Sequence, residues 1–196
     1  MSQLPVNPLQ AIITAAAKTP TVTGATARYS QRMNGVCDDT VILADVSSSM
    51  GEWAGAKRKI EHVREALESV WPQIKTPHLI AFASHPQELA SPRELPQPSG
   101  GTALHLALDM SLPYAQRKTL VISDGRPDNA EEAIKAAERI SGIIDVIYCG
   151  PDDDVEAISF MRRLASIGCG HVHTHTWKTP FQLVVRNVLA LPDPGK

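Results

Sequence analysis

The sequence predicts an α/β domain with a doubly wound, Rossmann-like, mostly parallel sheet, one antiparallel edge strand and helices on both faces. Short apolar runs rich in β-branched residues alternate with amphipathic helical segments from about residue 40 to residue 191. Right-handed crossovers between parallel strands produce such alternation and place helices on both faces. With 196 residues, 43% of them hydrophobic, the chain can bury one substantial core, whereas two domains would be cramped.

The predicted strands are short and mostly apolar. Those expected to be buried and parallel cover residues 41–44, 78–83, 119–123 and 143–148. Residues 87–95 are polar and contain prolines, which favours an edge strand over a central one. Residues 171–176 form the last predicted strand.

The helices between these strands are predicted from apolar spacing and end signals. One stripe comprises Ala56, Ile60, Val63, Leu67 and Val70, and Pro72 ends it. A second helix is predicted to begin at Thr102. The third is expected to be capped by Asp128, with Glu131 three residues later, and to bury Ala133, Ile134, Ala137 and Ile140.

Two further helices follow in the C-terminal third of the chain. One begins after three aspartates, ends at Gly168, and should bury Val155, Ile158, Leu164 and Ile167. The other should be capped by Thr179, with Pro180 at its first position. Its predicted inward face comprises Leu183, Val184, Val188 and Leu191.

The first 35 residues differ in composition from the rest of the chain. They are rich in Thr, Ala, Pro and Gln, with one short helix predicted over residues 8–18. We therefore divide the chain into an N-terminal arm (1–35), a domain (36–192) and a C-terminal tail (193–196). A poorly ordered arm and an arm packed on the flank of the domain are equally compatible with this composition.

Charge argues against nucleic acid and anionic membranes as partners. Nineteen basic and twenty-one acidic residues give a formal net charge of -2, and the short basic run 57–59 falls on a predicted helix. Pro5 and Pro8 interrupt the N-terminal segment, so we expect neither a secretory signal nor a membrane span.

Cysteine usage favours a reducing, cytoplasmic setting. Cys37, Cys149 and Cys169 are odd in number and form no CxxC pair. This pattern indicates neither a disulfide framework nor a thiolate zinc site.

Oxygen-bearing side chains cluster in three loops that follow predicted strands. These loops comprise residues 45–50, 99–102 and 123–125. The carboxyl ends of strands, near the point where strand order reverses, form the crevice in which such sheets bind ligands. Alternate residues of an extended turn point the same way, so the donors expected to converge there are Asp45, Ser47, Ser49, Thr102 and Asp124.

This set of donors suits a hard divalent cation. It contains five oxygen donors and no nitrogen or sulfur, and only two of the five are charged. Hydroxyls with retained waters favour Mg²⁺, with Mn²⁺ or Ca²⁺ able to replace it. Two carboxylates acting partly through water leave a dication open to a third carboxylate from elsewhere. An open binding site is therefore predicted.

The arrangement resembles the metal-ion-dependent adhesion site of von Willebrand factor type A (VWA) domains, whose pattern is Asp-x-Ser-x-Ser, then Thr, then Asp. The resemblance extends from about residue 37 to residue 191, although Ser48 replaces a glycine often found between the two serines. It implies direct coordination by Ser47 and Ser49 and contact through water by Asp45. It also implies that Thr102 and Asp124 alternate between direct and water-mediated contact.

The resemblance further implies a function. In the family, a partner's Asp or Glu completes the coordination of the cation. We therefore expect a non-enzymatic adaptor in an intracellular multi-protein assembly, such as one that contains an AAA+ ATPase. A metal-dependent hydrolase and a structural subunit whose metal only rigidifies loops remain alternatives.

Taken singly, the loop residues could simply cap helices, because Asp, Ser and Thr commonly do so.

Other motifs give weaker indications. His171, His173 and His175 alternate on one predicted strand and could bind Zn²⁺, but residues spaced this way are about 6.5–7 Å apart, which strains tetrahedral ligation. A polar edge strand explains them without metal. No nucleotide-binding or hydrolase motif is present.

Overall fold

The computed structural model describes residues 39–115 and 118–191 of the chain. The predicted arm (1–35) with its helix (8–18), and the predicted tail (193–196), lie outside the described residues. The fold therefore concerns the predicted domain alone.

Among the described residues, six strands form one mixed sheet, as predicted. In chain order they are β1 (Thr40–Asp45), β4 (Pro77–Phe82), β5 (Pro86–Leu89), β6 (Lys118–Ser123), β7 (Ile143–Tyr148) and β8 (Val172–Thr174), and they lie in the order β5-β4-β1-β6-β7-β8. Only β5, at one edge, pairs antiparallel within this sheet. Every residue of β1 and β7 is buried, as expected of parallel strands covered on both faces.

In the part of the chain that the structure describes, five α-helices cover the sheet on its two faces. They are α1 (Lys59–Val70), α2 (Leu104–Ser111), α3 (Ala130–Glu138), α4 (Val155–Ile167) and α5 (Phe181–Leu189). Helices α1 and α5 pack in one apolar cluster with Ile42, Leu120 and Ile147. Helices α2, α3 and α4 pack in the other, with Leu43, Val121 and Val146. Alternate residues of each strand therefore supply opposite cores.

A small hairpin separates β1 from α1. It consists of β2 (Trp53–Ala54) and β3 (Lys57–Arg58), joined by a turn in which Gly55 has a φ of 75°. The prediction that Ala56 begins the apolar stripe of α1 is wrong, since Ala56 lies in this turn and is exposed. Helix α1 starts three residues later, at Lys59.

Several predicted helix ends and faces are also corrected. Helix α3 is capped by Asn129, whose side chain accepts a hydrogen bond from the Glu132 amide, and not by Asp128. Helix α5 begins at Phe181, with Pro180 as its cap in place of Thr179. Val155 and Leu183, which were predicted to be buried, are 74% and 53% exposed, whereas Ala157 and Phe181 in the same first turns are buried. The buried faces of α4 and α5 are thus rotated away from Val155 and Leu183.

The edge strands are shorter than predicted. Strand β5 ends at Leu89, and the expected continuation to residue 95 instead includes a short 3₁₀ turn at Pro92–Glu94. Strand β8 covers only three residues. Within the part of the chain that the structure describes, no helix is long and apolar enough to cross a membrane.

The strand order places a crevice at the end of β1. From β1 the chain runs to β4 on one side, and it later returns to β6 on the other side. The loops after β1 and β6 therefore leave the sheet in different directions at adjacent strand ends. These two loops carry Asp45, Ser47, Ser49 and Asp124.

Candidate metal-binding site

Asp45 is the last residue of β1, and its carboxylate is completely buried. Ser123, at the end of the neighbouring strand β6, donates its hydroxyl to Asp45 Oδ2 at 2.6 Å. The Ser47 amide donates to Asp45 Oδ1 at 2.8 Å. Burial raises the pKa of Asp45 to about 6 in spite of these hydrogen bonds. The charged carboxylate is thus held where its solvation is poor and an added positive charge would stabilise it.

Three more of the predicted donors are in mutual contact. The hydroxyls of Ser47 and Ser49 lie 3.2 Å apart, and Ser49 donates to Asp124 Oδ1 at 2.7 Å. Ser47 and Asp124 are buried, while Ser49 is half-buried at the rim. The structure thus brings Ser47, Ser49 and Asp124 together, with Asp45 hydrogen-bonded to the Ser47 amide beside them, while cation binding by this set stays a prediction.

The loop that carries Thr102 is hydrogen-bonded to the loop after β1. Ser99 donates its amide to Val46 O at 2.9 Å, and Ser48 donates both its amide and its hydroxyl to Gly100 O, at 3.2 and 3.1 Å. Within the described residues, the Thr102 hydroxyl makes no hydrogen bond to the other four donors. Ser48, in the position where related motifs often have glycine, therefore ties the two loops together.

Asp128 fixes the backbone of Thr102. The Thr102 amide donates to Asp128 Oδ2 at 2.8 Å, and the Asp128 amide donates to Thr102 O at 3.0 Å. This reciprocal pair explains why Asp128 is not the cap of α3. It links the 99–102 loop to the loop after β6.

The two glycines before Thr102 are required by this packing. Gly100 has a φ of 74°, and a Cβ there would lie 2.6 Å from Ser84 Oγ. That hydroxyl accepts a hydrogen bond from the Gly101 amide at 3.0 Å. A Cβ on Gly101 would lie 2.5 Å from Asp128 Oδ2, which holds Thr102.

We expect Gly100→Ala to destabilise the fold and to weaken cation binding. The left-handed backbone conformation alone costs a residue with Cβ about 1–2 kcal/mol, and displacement of Ser84 removes a hydrogen bond from the loop that positions Thr102. Gly55→Ala is the matched control, because Gly55 has a similar φ of 75° but open space around it. Thermal melting and calorimetric titration with Mg²⁺ check this. Equal metal affinities for the two variants would contradict the assigned role of the 99–102 loop.

Sequence reasoning missed a cation at the site, namely Lys59. Its Nζ lies 2.8 Å from Asp124 Oδ2 and 2.6 Å from Glu52 Oε2. Burial opposes the ammonium, but the hydrogen bonds and charges of Asp124 and Glu52 outweigh it and raise the pKa of Lys59 above its ordinary value. A signal was present in the sequence. Lys59 precedes Val63, Ala66 and Val70 at spacings of four, three and four, and thus lies on the buried stripe of α1.

The residues present fit a hard dication. Hydroxyl and carboxylate oxygens converge at one rim, and one of the carboxylates is buried with its pKa raised. Among residues 39–115 and 118–191, no group of three or more His, Cys, Asp and Glu side chains is placed to hold a metal. This finding does not bear on a site with two carboxylates and three hydroxyls, but it leaves no thiolate or imidazole centre in the described part of the domain.

The three histidines of the last strand region differ in burial. His171 precedes β8 and is exposed, whereas His175 follows it and is buried. The ring of His175 packs at 5.0 Å from both Trp177 and Phe181. The expectation of a polar, exposed histidine edge is therefore wrong for His175, because the rings of Trp177 and Phe181 pack against it and bury it.

Comparisons with known proteins identify the fold. No protein-family model matches the sequence, and no match was found among curated proteins. Similar solved structures include the conserved hypothetical protein BatB from Bacteroides thetaiotaomicron, with 17% identity and a TM-score of 0.58 over 78% of this chain and 97% of that one. An aerotolerance-related membrane protein from Bacteroides fragilis has 16% identity and a TM-score of 0.59, over 78% and 98% of the two chains.

A third similar structure is a VWA domain. The VWA domain of SpRpn10 has 15% identity and a TM-score of 0.61, over 78% of this chain and 95% of that one. At these identities the likeness concerns the fold. Together with the observed sheet order and helix layers, it shows that the described part of the chain has the fold of a VWA domain.

Proposed function

We propose that this domain is a divalent-cation-dependent protein-binding module. Asp45, Ser47, Ser49, Thr102 and Asp124 would hold Mg²⁺, and the cation would hold a carboxylate of the partner. The observation that carries the proposal is the convergence of three side-chain oxygens beside the buried Asp45. The Ser49 hydroxyl lies 3.2 Å from the Ser47 hydroxyl and 2.7 Å from Asp124 Oδ1. A VWA fold places these residues at the end of its sheet, where ligands of such sheets bind.

Each residue has a distinct part in this proposal. Ser49 presents a neutral oxygen at the half-buried rim and Ser47 a second one from the buried side, while Asp124 supplies a charge beside them. Asp45 is oriented from below by Ser123 and the Ser47 amide, and such second-layer hydrogen bonds fix the direction of metal ligands. When bound, Mg²⁺ supplies a strongly electrophilic point that prefers oxygen ligands.

The surroundings of the rim support a protein partner. Trp53, in the hairpin just after the Ser48–Gly51 turn, is 68% exposed, and the Arg58 guanidinium lies 5.9 Å from its ring centroid. Exposed tryptophan and arginine are enriched at binding hot spots. We propose that the partner belongs to an intracellular, cytoplasmic assembly, of which a complex containing an AAA+ ATPase is one candidate.

The proposal is tested by metal-dependent capture. Purified protein is incubated with lysate of its source cells in Mg²⁺ and in EDTA, and recovered proteins are identified by mass spectrometry. Recovery of a partner in Mg²⁺ that is lost in EDTA, and lost with Asp124→Asn, supports the proposal. Recovery that is unchanged in EDTA would contradict it. Turnover of a phosphoester or peptide panel by the isolated chain would instead indicate a hydrolase.

A further inference from the structure

Lys59 contacts Asp124, one of the proposed metal ligands. Its side chain is only 9% exposed, and that of Asp124 is 1% exposed, so the ion pair between them is buried. Asp124 presents Oδ1 to Ser49 and Oδ2 to Lys59. The same carboxylate is therefore shared between the proposed metal rim and a fixed ammonium.

The charge balance of the site follows from this sharing. Asp45 and Asp124 carry two negative charges, and Lys59 offsets one of them before any cation arrives. A dication that binds Asp124 is then repelled by the Lys59 ammonium, which contacts the same carboxylate. The repulsion is strong because the surroundings screen charge less than water does. Such competition weakens cation binding.

Glu52 gives the ammonium a second acceptor. Its carboxylate accepts a hydrogen bond from Lys59 at 2.6 Å and is 65% exposed. The Glu52 amide donates to Ser49 O, and the Lys59 amide donates to Glu52 O, at 3.1 and 3.0 Å. Glu52 is thus held between the turn that carries Ser49 and the first residue of α1, and it can keep the ammonium when Asp124 binds a cation.

We propose that Lys59 is a built-in competitor of the divalent cation for Asp124, and that Glu52 draws the ammonium away from it. The proposal rests on the proposed function, since it assumes a cation at this rim. As a consequence, the site binds the divalent cation more weakly than its oxygen ligands would without Lys59. Occupancy then responds to the concentration of the cation, or to a partner carboxylate that binds together with it.

The main experiment is calorimetric titration of the full chain with Mg²⁺ alone. Lys59→Met keeps an unbranched apolar side chain in the buried position but removes the charge. We expect it to bind Mg²⁺ about tenfold more tightly or better, as close charge pairs show coupling of this size or larger. Lys57→Met is the matched control, because Lys57 is exposed, pairs with Glu65 at 2.6 Å and lies two residues away. Its affinity should stay within about twofold of wild type, as expected for an exposed pair.

A stability measurement covers the case in which Lys59→Met folds poorly without metal. Removal of one partner leaves the Asp124 charge buried and uncompensated, so the variant should lose stability in EDTA. Mg²⁺ should therefore raise its melting temperature by more than it raises that of wild type. An equal or smaller rise would overturn the proposal.

Glu52→Gln tests the second part of the proposal at an exposed position. It should weaken Mg²⁺ binding in wild type but have little effect in the Lys59→Met background, because Glu52 acts through the ammonium. Equal weakening in both backgrounds would show that Glu52 attracts the cation directly and would overturn this part.

The outcomes separate the two proposals. Binding by wild type with no gain in Lys59→Met overturns the role of Lys59 and leaves the metal-dependent function standing. Binding by Lys59→Met alone supports the competitor role and overturns a metal-dependent function for wild type. Binding by neither overturns both.

Discussion

The Asp45→Asn variant is expected to be at least as stable as wild type in EDTA at pH 7, and to lose the stabilisation that Mg²⁺ gives wild type. The reason is that the Asp45 carboxylate is completely buried, with neutral hydrogen-bond donors as its direct partners. A buried charge without an opposite charge costs free energy, and the amide has nearly the same shape without that cost. The native residue is thus unfavourable for the empty fold and useful only with a cation.

The expected magnitudes follow from linkage. Mg²⁺ at ~10 times its dissociation constant should stabilise wild type by about 1.4 kcal/mol, which is roughly 3–6 °C for a chain of this size. Asp45→Asn should show no measurable rise. Thermal melting in EDTA and over a Mg²⁺ series measures both.

Asp109→Asn is the control for loss of a carboxylate. Asp109 is exposed on the surface of α2, and its carboxylate pairs with Arg139 at 2.7 Å instead of with a residue of the rim. Asp109→Asn should change the melting temperature little, in EDTA or in Mg²⁺, since exposed ion pairs contribute little to stability. An Mg²⁺-dependent rise in Asp45→Asn as large as that of wild type would refute the assignment of Asp45.

The fold was predictable because its signals are local and repeated. The strand at 143–148 was predicted with the bounds that the structure shows, since its run of Ile, Val and Tyr is bounded by Gly142 and Gly150. The buried face of α3 followed the apolar spacing of the sequence, as Ala133 and Ala137 show. Val155 broke the pattern because the buried face of its helix follows Ala157, Met161 and Leu164 and does not include it.

The site was predictable where it depends on strand ends and unpredictable where it depends on side chains from other elements. Asp45 and Asp124 follow adjacent strands, so the topology alone brings them together. Asp128 has the sequence context of a helix cap, yet it holds the Thr102 backbone instead. Local sequence contains no indication that a side chain will prefer a loop 26 residues away.

Loss of the cation is expected to reduce partner binding by about 100-fold or more, equivalent to about 2.7 kcal/mol. The reason is that two carboxylates, one of them shared with Lys59, leave a dication electrophilic enough to bind a third carboxylate. Once the partner is known, calorimetry in Mg²⁺ and in EDTA measures this loss. Changing each acidic surface residue of the partner to its amide should identify one position with a similar effect.

Thr102→Ala should weaken the same interaction by about tenfold, as loss of an oriented ligand group commonly does. The fold should be retained, because the Thr102 amide and carbonyl, not its hydroxyl, make the hydrogen bonds to Asp128. Thr174→Ala, which removes an exposed hydroxyl from β8, is the control and should leave affinity unchanged. Equal affinity in EDTA, or no partner carboxylate whose loss matters, would mean that any cation at this rim only rigidifies the loops and that the partner binds elsewhere.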